Sequence, residues 1–186
     1  MNCFKAVGEL TEVLEMLGRA GSGGLDSAAE TIVRSVKKGG KILVFGNGGS
    51  AAEAQHFAAE LVNRFMIERK AIPAIALTTD ASALTSIAND RSFEKIFSRQ
   101  IEAFGAKGDV AIALTTSGRS QNIIEGLRAA KAKGLATIAL TGEGGGAVAG
   151  LPDVLLYVPS KSTPRIQEAH LLILHMIAEA VEAALS

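Results

Sequence analysis

The chain has 186 residues, enough for one domain that buries about two-thirds of its unfolded surface. Basic and acidic residues both number 19, and the resulting zero net charge excludes a general binder of nucleic acid or membrane surface, which needs a concentrated cationic face. No apolar run approaches the roughly 20 residues of a membrane span, and Lys5 and Glu9 interrupt any signal-peptide core. The lone Cys3 excludes an internal disulfide, so a soluble cytoplasmic protein is expected.

Taken in order, the first forty residues are helical in pattern. Val7, Leu10, Val13, Leu14 and Leu17 recur at three- and four-residue steps and predict an amphipathic helix. Gly18 to Gly24 interrupt it, and a second helix is expected over Leu25–Lys38. The period then changes. Short apolar runs at Ile42–Phe45, Ala74–Leu77, Val110–Leu114, Thr137–Leu140 and Val154–Val158 read as strands covered on both faces. Helical patterns separate them at Ala51–Phe65, Phe93–Phe104 and Gln121–Lys133, with a further helical segment after Asp80. The chain closes on a long helix from about Arg165 to Leu185, with Thr163 as its expected cap and Pro164 in its first turn. Alternating strands and helices predict an α/β fold: a three-layer, doubly wound parallel sheet of about five strands. No linker or repeat divides the chain, so residues 1–186 read as one domain.

Open α/β sheets bind ligands where strand ends meet helix N-termini, and two strand ends here have suitable composition. The first is Gly46-Asn47-Gly48-Gly49-Ser50, whose glycines let backbone approach an anion or a polar hydroxyl. Gly46, Gly48 and Ala51 also match the relaxed dinucleotide fingerprint. Its acidic partner belongs about 20 residues on, whereas the candidate Asp80 lies about 30 on. A tight turn without a ligand is the other alternative. The second loop, Thr115 to Ser120, offers four hydroxyls at a helix start, more than capping requires, and suits a sugar monophosphate.

Two of the three histidines stand near acid or amide groups. His56 and Glu60 are four apart on one helix face, about 9 Å along the axis from the first loop. A solvated Glu beside a hydrogen-bonded His is the ordinary alternative for such a pair. The closing helix carries Gln167, Glu168, His170 and His175. At about 100° per residue His175 lines up with Glu168 better than with Gln167, and His170 points elsewhere. Spacing alone does not choose between Gln167 and Glu168.

In combination these segments resemble a known family. Gly46–Leu61 (GNGGSAAEAQHFAAEL), Ala71–Asp90, Phe97–Ser120 and Arg165–His175 (RIQEAHLLILH) are similar, in order and over nearly the whole chain, to the phosphoheptose isomerases of the SIS-domain superfamily. The resemblance implies a flavodoxin-like SIS domain in a homotetramer, with residues 1–40 as a helical extension used in oligomer packing. It implies one zinc per subunit held by His56, Glu60, Gln167 and His175, which chooses Gln167 over Glu168. Substrate contacts carried over are Asn47, Gly48, Gly49, Glu60, Asn89, Asp90, Thr115, Thr116, Ser117, Ser120 and Gln167, with Ser50 as a further phosphate contact.

The implied reaction interconverts sedoheptulose 7-phosphate and D-glycero-D-manno-heptose 7-phosphate, with Glu60 as general base and His175 as the complementary acid. That would open the route to nucleotide-activated heptoses of lipopolysaccharide and other surface glycans. Neither a nucleic-acid nor a membrane partner is implied. Three positions depart from the family pattern: Glu53 stands where Asp is common, Arg119 where Asn is common, and Pro164 where some members have Asp. The rivals are a non-catalytic relative that binds the replication initiator, a sugar-phosphate sensor and a nicotinamide-dependent enzyme. Retention of the four metal-type residues favours the isomerase over the binding scaffold.

Overall fold

The structure, a computed structural model, describes residues 3–186. Helices α1 (Cys3–Ala20) and α2 (Gly23–Lys37) precede β1 (Ile42–Gly46), α3 (Gly49–Val62), β2 (Ala74–Ala76) and α4 (Ala81–Asp90). After them come α5 (Ile96–Phe104), β3 (Val110–Leu114), α6 (Gln121–Ala132), β4 (Ala136–Thr141), β5 (Val154–Tyr157) and α7 (Thr163–Leu185). The five strands are all parallel, in the order β2-β1-β3-β4-β5.

Alternation along the strands explains the three layers. Ile42 and Val44 of β1 join one core with α2, α3 and α7, while Leu43 and Phe45 join the opposite core with α5 and α6. The Phe45 and Phe97 rings meet in that second core, centroids 5.2 Å apart. Strands buried on both sides therefore read as continuous apolar runs, as their composition predicted. The helix after β1 lies on one face and the helix after β3 on the other. The two strands are neighbours, with Gly46 level with Leu114, so their loops open side by side at the switch point of the sheet.

Several boundaries differ from the sequence reading, each for a local reason. Helix α1 runs through Gly18 to Ala20, so the predicted break shrinks to a short turn at Gly21 and Ser22. Helix α3 starts at Gly49 rather than Ala51, because Gly48 at its cap adopts a φ of 57°, open to glycine. It stops at Val62 rather than Phe65, where the following N–H groups turn to a side-chain carboxylate of α7. The segment predicted from Phe93 opens as a 3-10 turn, Phe93–Lys95, before α5 begins. Ser162, not Thr163, occupies the cap position of α7, without a side-chain cap bond; Pro164 sits in the first turn as expected.

Candidate active site

Three helices begin around one cavity. The first turn of α3, the Ser120 cap of α6 and the first turn of α7 all face a space of about 290 Å³. It is lined by Asn47, Gly48, Gly49, Ser50, Leu114, Thr115, Thr116, Ser117, Ser120, Thr163 and Gln167. No lining side chain carries a charge. What an anion would meet are the unpaired N–H groups and positive dipole ends of the helices, together with hydroxyls and amides. The two loops singled out in the sequence thus form one neutral cradle.

The hydroxyls divide into two roles. Thr115 Oγ1 accepts from the Gly118 N–H and Ser117 Oγ from the Arg119 N–H, both at 3.2 Å, so these two shape the loop. Ser120 makes no cap bond with its side chain and leaves its hydroxyl for a ligand. The loops are joined by a reciprocal amide pair: Asn47 Nδ2 donates to Asn122 Oδ1 at 2.9 Å, and Asn122 Nδ2 returns the bond to Asn47 Oδ1 at 2.8 Å. Asn122 was not singled out in the sequence. Its only signal was an amide at the start of the helix that follows a neighbouring strand end. Gly49 packs so closely on the Gln167 side-chain amide that a Cβ there would collide with it.

Farther along α3, the chemistry-bearing groups meet across the α3–α7 contact. His56 Nε2 lies 2.8 Å from His175 Nε2 and 3.4 Å from Glu60 Oε1. The imidazoles meet edge to face, and the Phe65 ring stacks on His175 with centroids 5.3 Å apart. Gln167 points to the cradle, while Glu168 accepts from Arg165 at 2.7 Å on the exposed side. Among the described residues no three His, Cys, Asp or Glu side chains stand as a ready-made cage. The donor set nevertheless fits zinc chemically: two imidazole nitrogens converge beside a carboxylate oxygen, with a side-chain amide on the same helix as His175.

Other candidates fall outside the cavity. Asn89 and Asp90 are exposed at the end of α4, bonded to each other at 2.8 Å, and do not line the cradle. Asp80, the rival acidic residue for a dinucleotide, caps α4 by accepting from the Ala83 N–H at 2.9 Å. Arg119 is exposed and lines no part of the cradle. His170 is fully buried, with Nε2 3.1 Å from the Thr141 carbonyl, and burial pushes its pKa down to about 4. Glu53 is half-buried on α3, and burial outweighs its Ser50 hydrogen bond to push its pKa up to about 7.

The SIS-domain family model matches residues 7–142, which include β1 to β4 and the two loops of the cradle. The phosphoheptose isomerase of Citrifermentans bemidjiense is 51% identical over 174 residues, 94% of this chain and 91% of that protein. That of Paramagnetospirillum magneticum is 52% identical over 177 residues, 95% of this chain and 92% of that protein. The solved phosphoheptose isomerase of Neisseria gonorrhoeae superposes with a TM-score of 0.91 at 42% identity, covering 96% of each chain. The chain belongs to the phosphoheptose isomerase family and is an isomerase.

Proposed function

We propose that the chain converts sedoheptulose 7-phosphate to D-glycero-D-manno-heptose 7-phosphate, the first step toward nucleotide-activated heptoses. The observation that carries this reading is the placement of a neutral anion cradle and a His–Glu–His group along the same pair of helices. At 1.5 Å per residue, Gly49 and His56 are about 10 Å apart along α3, the length scale of a seven-carbon sugar phosphate. The phosphate is held at the N–H groups of Gly48 and Gly49 with the hydroxyls of Thr116 and Ser120, and Ser50, whose N–H is spent on the Asn47 carbonyl, lines the same pocket. Asn47 and Gln167 order the sugar hydroxyls, and Thr115 and Ser117, whose oxygens accept loop N–H groups, have hydroxyl hydrogens left to donate to them. Asn89 and Asp90, exposed at the end of α4 and bonded to each other, are given no contact in this reading.

Moving the carbonyl from C2 to C1 transfers one proton between carbons and one between oxygens. Glu60 takes the C1 proton and returns it at C2, and His175 moves the proton between the oxygens. His56, Glu60, Gln167 and His175 would hold zinc, which when bound supplies Lewis-acid stabilisation of the enediol oxygens. Holding the sugar at both ends removes most of the orientational entropy from the transfer.

The same reading extends to a homotetramer. Helix α1 exposes Phe4 and Val7, and α7 exposes Leu172, an apolar surface that further copies of the chain would cover. Sedimentation would report a single fourfold species. The activity is tested by turnover of sedoheptulose 7-phosphate by wild type and Glu60→Gln, each with and without added zinc. Zinc-dependent aldose formation by wild type alone is expected; no turnover by metal-loaded wild type sinks the reading.

A further inference from the structure

Beyond the cradle and the acid–base group lies a buried ion pair that neither serves directly. Glu182 on α7 and Arg69 in the segment after α3 expose only 2% and 1% of their side chains. The Glu182 carboxylate accepts from three consecutive backbone N–H groups: Phe65 at 2.9 Å, Met66 at 2.7 Å and Ile67 at 3.0 Å. Arg69 Nε lies 3.1 Å from Glu182 Oε1 without hydrogen-bond alignment, so that contact is one of charge. The guanidinium spends its aligned donors elsewhere. Nη2 donates to the Glu60 carbonyl at 2.7 Å and Nη1 to the Leu61 carbonyl at 2.9 Å. Those carbonyls belong to the last turn of α3 and lack helical partners.

We propose that Arg69 and Glu182 are positioning residues that fix the end of α3 against α7, so that Glu60 and His56 face His175. The chain of contacts is continuous. Arg69 holds the backbone of Glu60 itself, and Glu182 holds the backbone of Phe65, whose ring stacks on His175. Glu182 is seven residues, about two turns, beyond His175, so one stripe of α7 presents both groups to the α3 side. A buried ion pair is weak as a source of stability, because desolvation offsets most of the attraction, whereas a directional set of bonds to one backbone segment specifies register. This rests on Glu60 and His175 being the acid–base pair.

The test uses full-length Glu182→Gln, Arg69→Met and the double variant Arg69→Met/Glu182→Leu. Glu182→Gln is expected to fold and to lose kcat by about 10- to 100-fold, with KM for sedoheptulose 7-phosphate within about twofold because the cradle is untouched. Its zinc affinity, read by competition with a chromophoric chelator, should weaken about tenfold or more. The double variant leaves the Phe65 to Ile67 N–H groups and the carbonyls of Glu60 and Leu61 without these side-chain partners, so its Tm should fall below that of Glu182→Gln, while its kcat loss, already incurred once the end of α3 is released, should change little. In the metal-free protein, the ring-current shift that Phe65 imposes on the His175 proton resonances should diminish in Glu182→Gln. That readout depends on neither zinc nor turnover, so an inactive wild type would overturn the proposed reaction while leaving the lock to be decided by the spectrum. Unchanged His175 resonances, or a kcat that simply follows Tm through the series, would overturn the proposal.

Discussion

The cradle and the proposed acid–base group share α3 and α7 yet are built on different principles. The cradle is made of chain ends: strand tips, helix starts, glycines and short polar side chains that need nothing beyond the parallel sheet to converge. The acid–base group is made of side chains on the flanks of α3 and α7, which meet only because the helices cross at one register. Anchoring therefore comes with the fold, and chemistry comes with helix packing. Perturbing the first should act on affinity, and perturbing the second on rate.

The largest separation is expected from Glu60→Gln. Removing the proposed general base should cost on the order of 10³ in kcat, with phosphate affinity retained, as read by inhibition with inorganic phosphate. Gly49→Ala sharpens the comparison from the other side. Its new methyl group displaces the Gln167 amide, a cradle group that also belongs to the proposed zinc set, so KM should rise roughly tenfold and zinc affinity should weaken, with kcat falling less than in Glu60→Gln. A kcat loss in this variant equal to that of Glu60→Gln would show that the two regions are one unit.

A smaller effect concerns pH. His170 has a folded pKa near 4 against an ordinary 6.5, so between these values the unfolded chain binds more protons. Its share of stability is full above pH 6.5 and falls as acid is added, by about 3 kcal/mol at pH 4 as an order of magnitude. Glu53 acts with the opposite sign. Its pKa near 7 lies above an ordinary 4.5, so the folded state binds more protons and acidification through that window stabilises, by less because solvent screens it. Glu53→Gln should therefore make Tm fall more steeply between pH 7 and pH 4.5, and His170→Gln should flatten or reverse that fall. Identical Tm–pH slopes in all three proteins would remove this account.

Which parts were legible follows from the same division. The strands, their order of burial and both loops of the cradle could be read from runs of a few residues, because apolar strands and glycine–hydroxyl turns are local patterns. The choice between Gln167 and Glu168 could not be made from spacing, since one residue turns a helix by about 100° and the docking of α7 decides which neighbour faces inward. Family resemblance supplied that choice, and Gln167 is the one found at the cradle. Arg69 and Glu182 left no local signal at all. A charged residue in a polar stretch reads as solvated, and only the fold brings together positions separated by more than a hundred residues.

The Asn47–Asn122 pair bears on how the protein ages. Asn47 precedes Gly48, and an asparagine before glycine is the dipeptide most prone to cyclise, because the unhindered glycine nitrogen can attack the side-chain carbonyl and expel ammonia. Here that carbonyl oxygen and one amide hydrogen of Asn47 are both engaged by Asn122, itself almost wholly buried. The clasp restrains the rotation such an attack requires, so the cradle's most fragile bond is guarded by its neighbour. In Asn122→Ala, intact-mass spectra of stored protein should show deamidation at Asn47 accumulating faster than in wild type. Catalytic lifetime in this fold then depends in part on a residue assigned no place in the reaction.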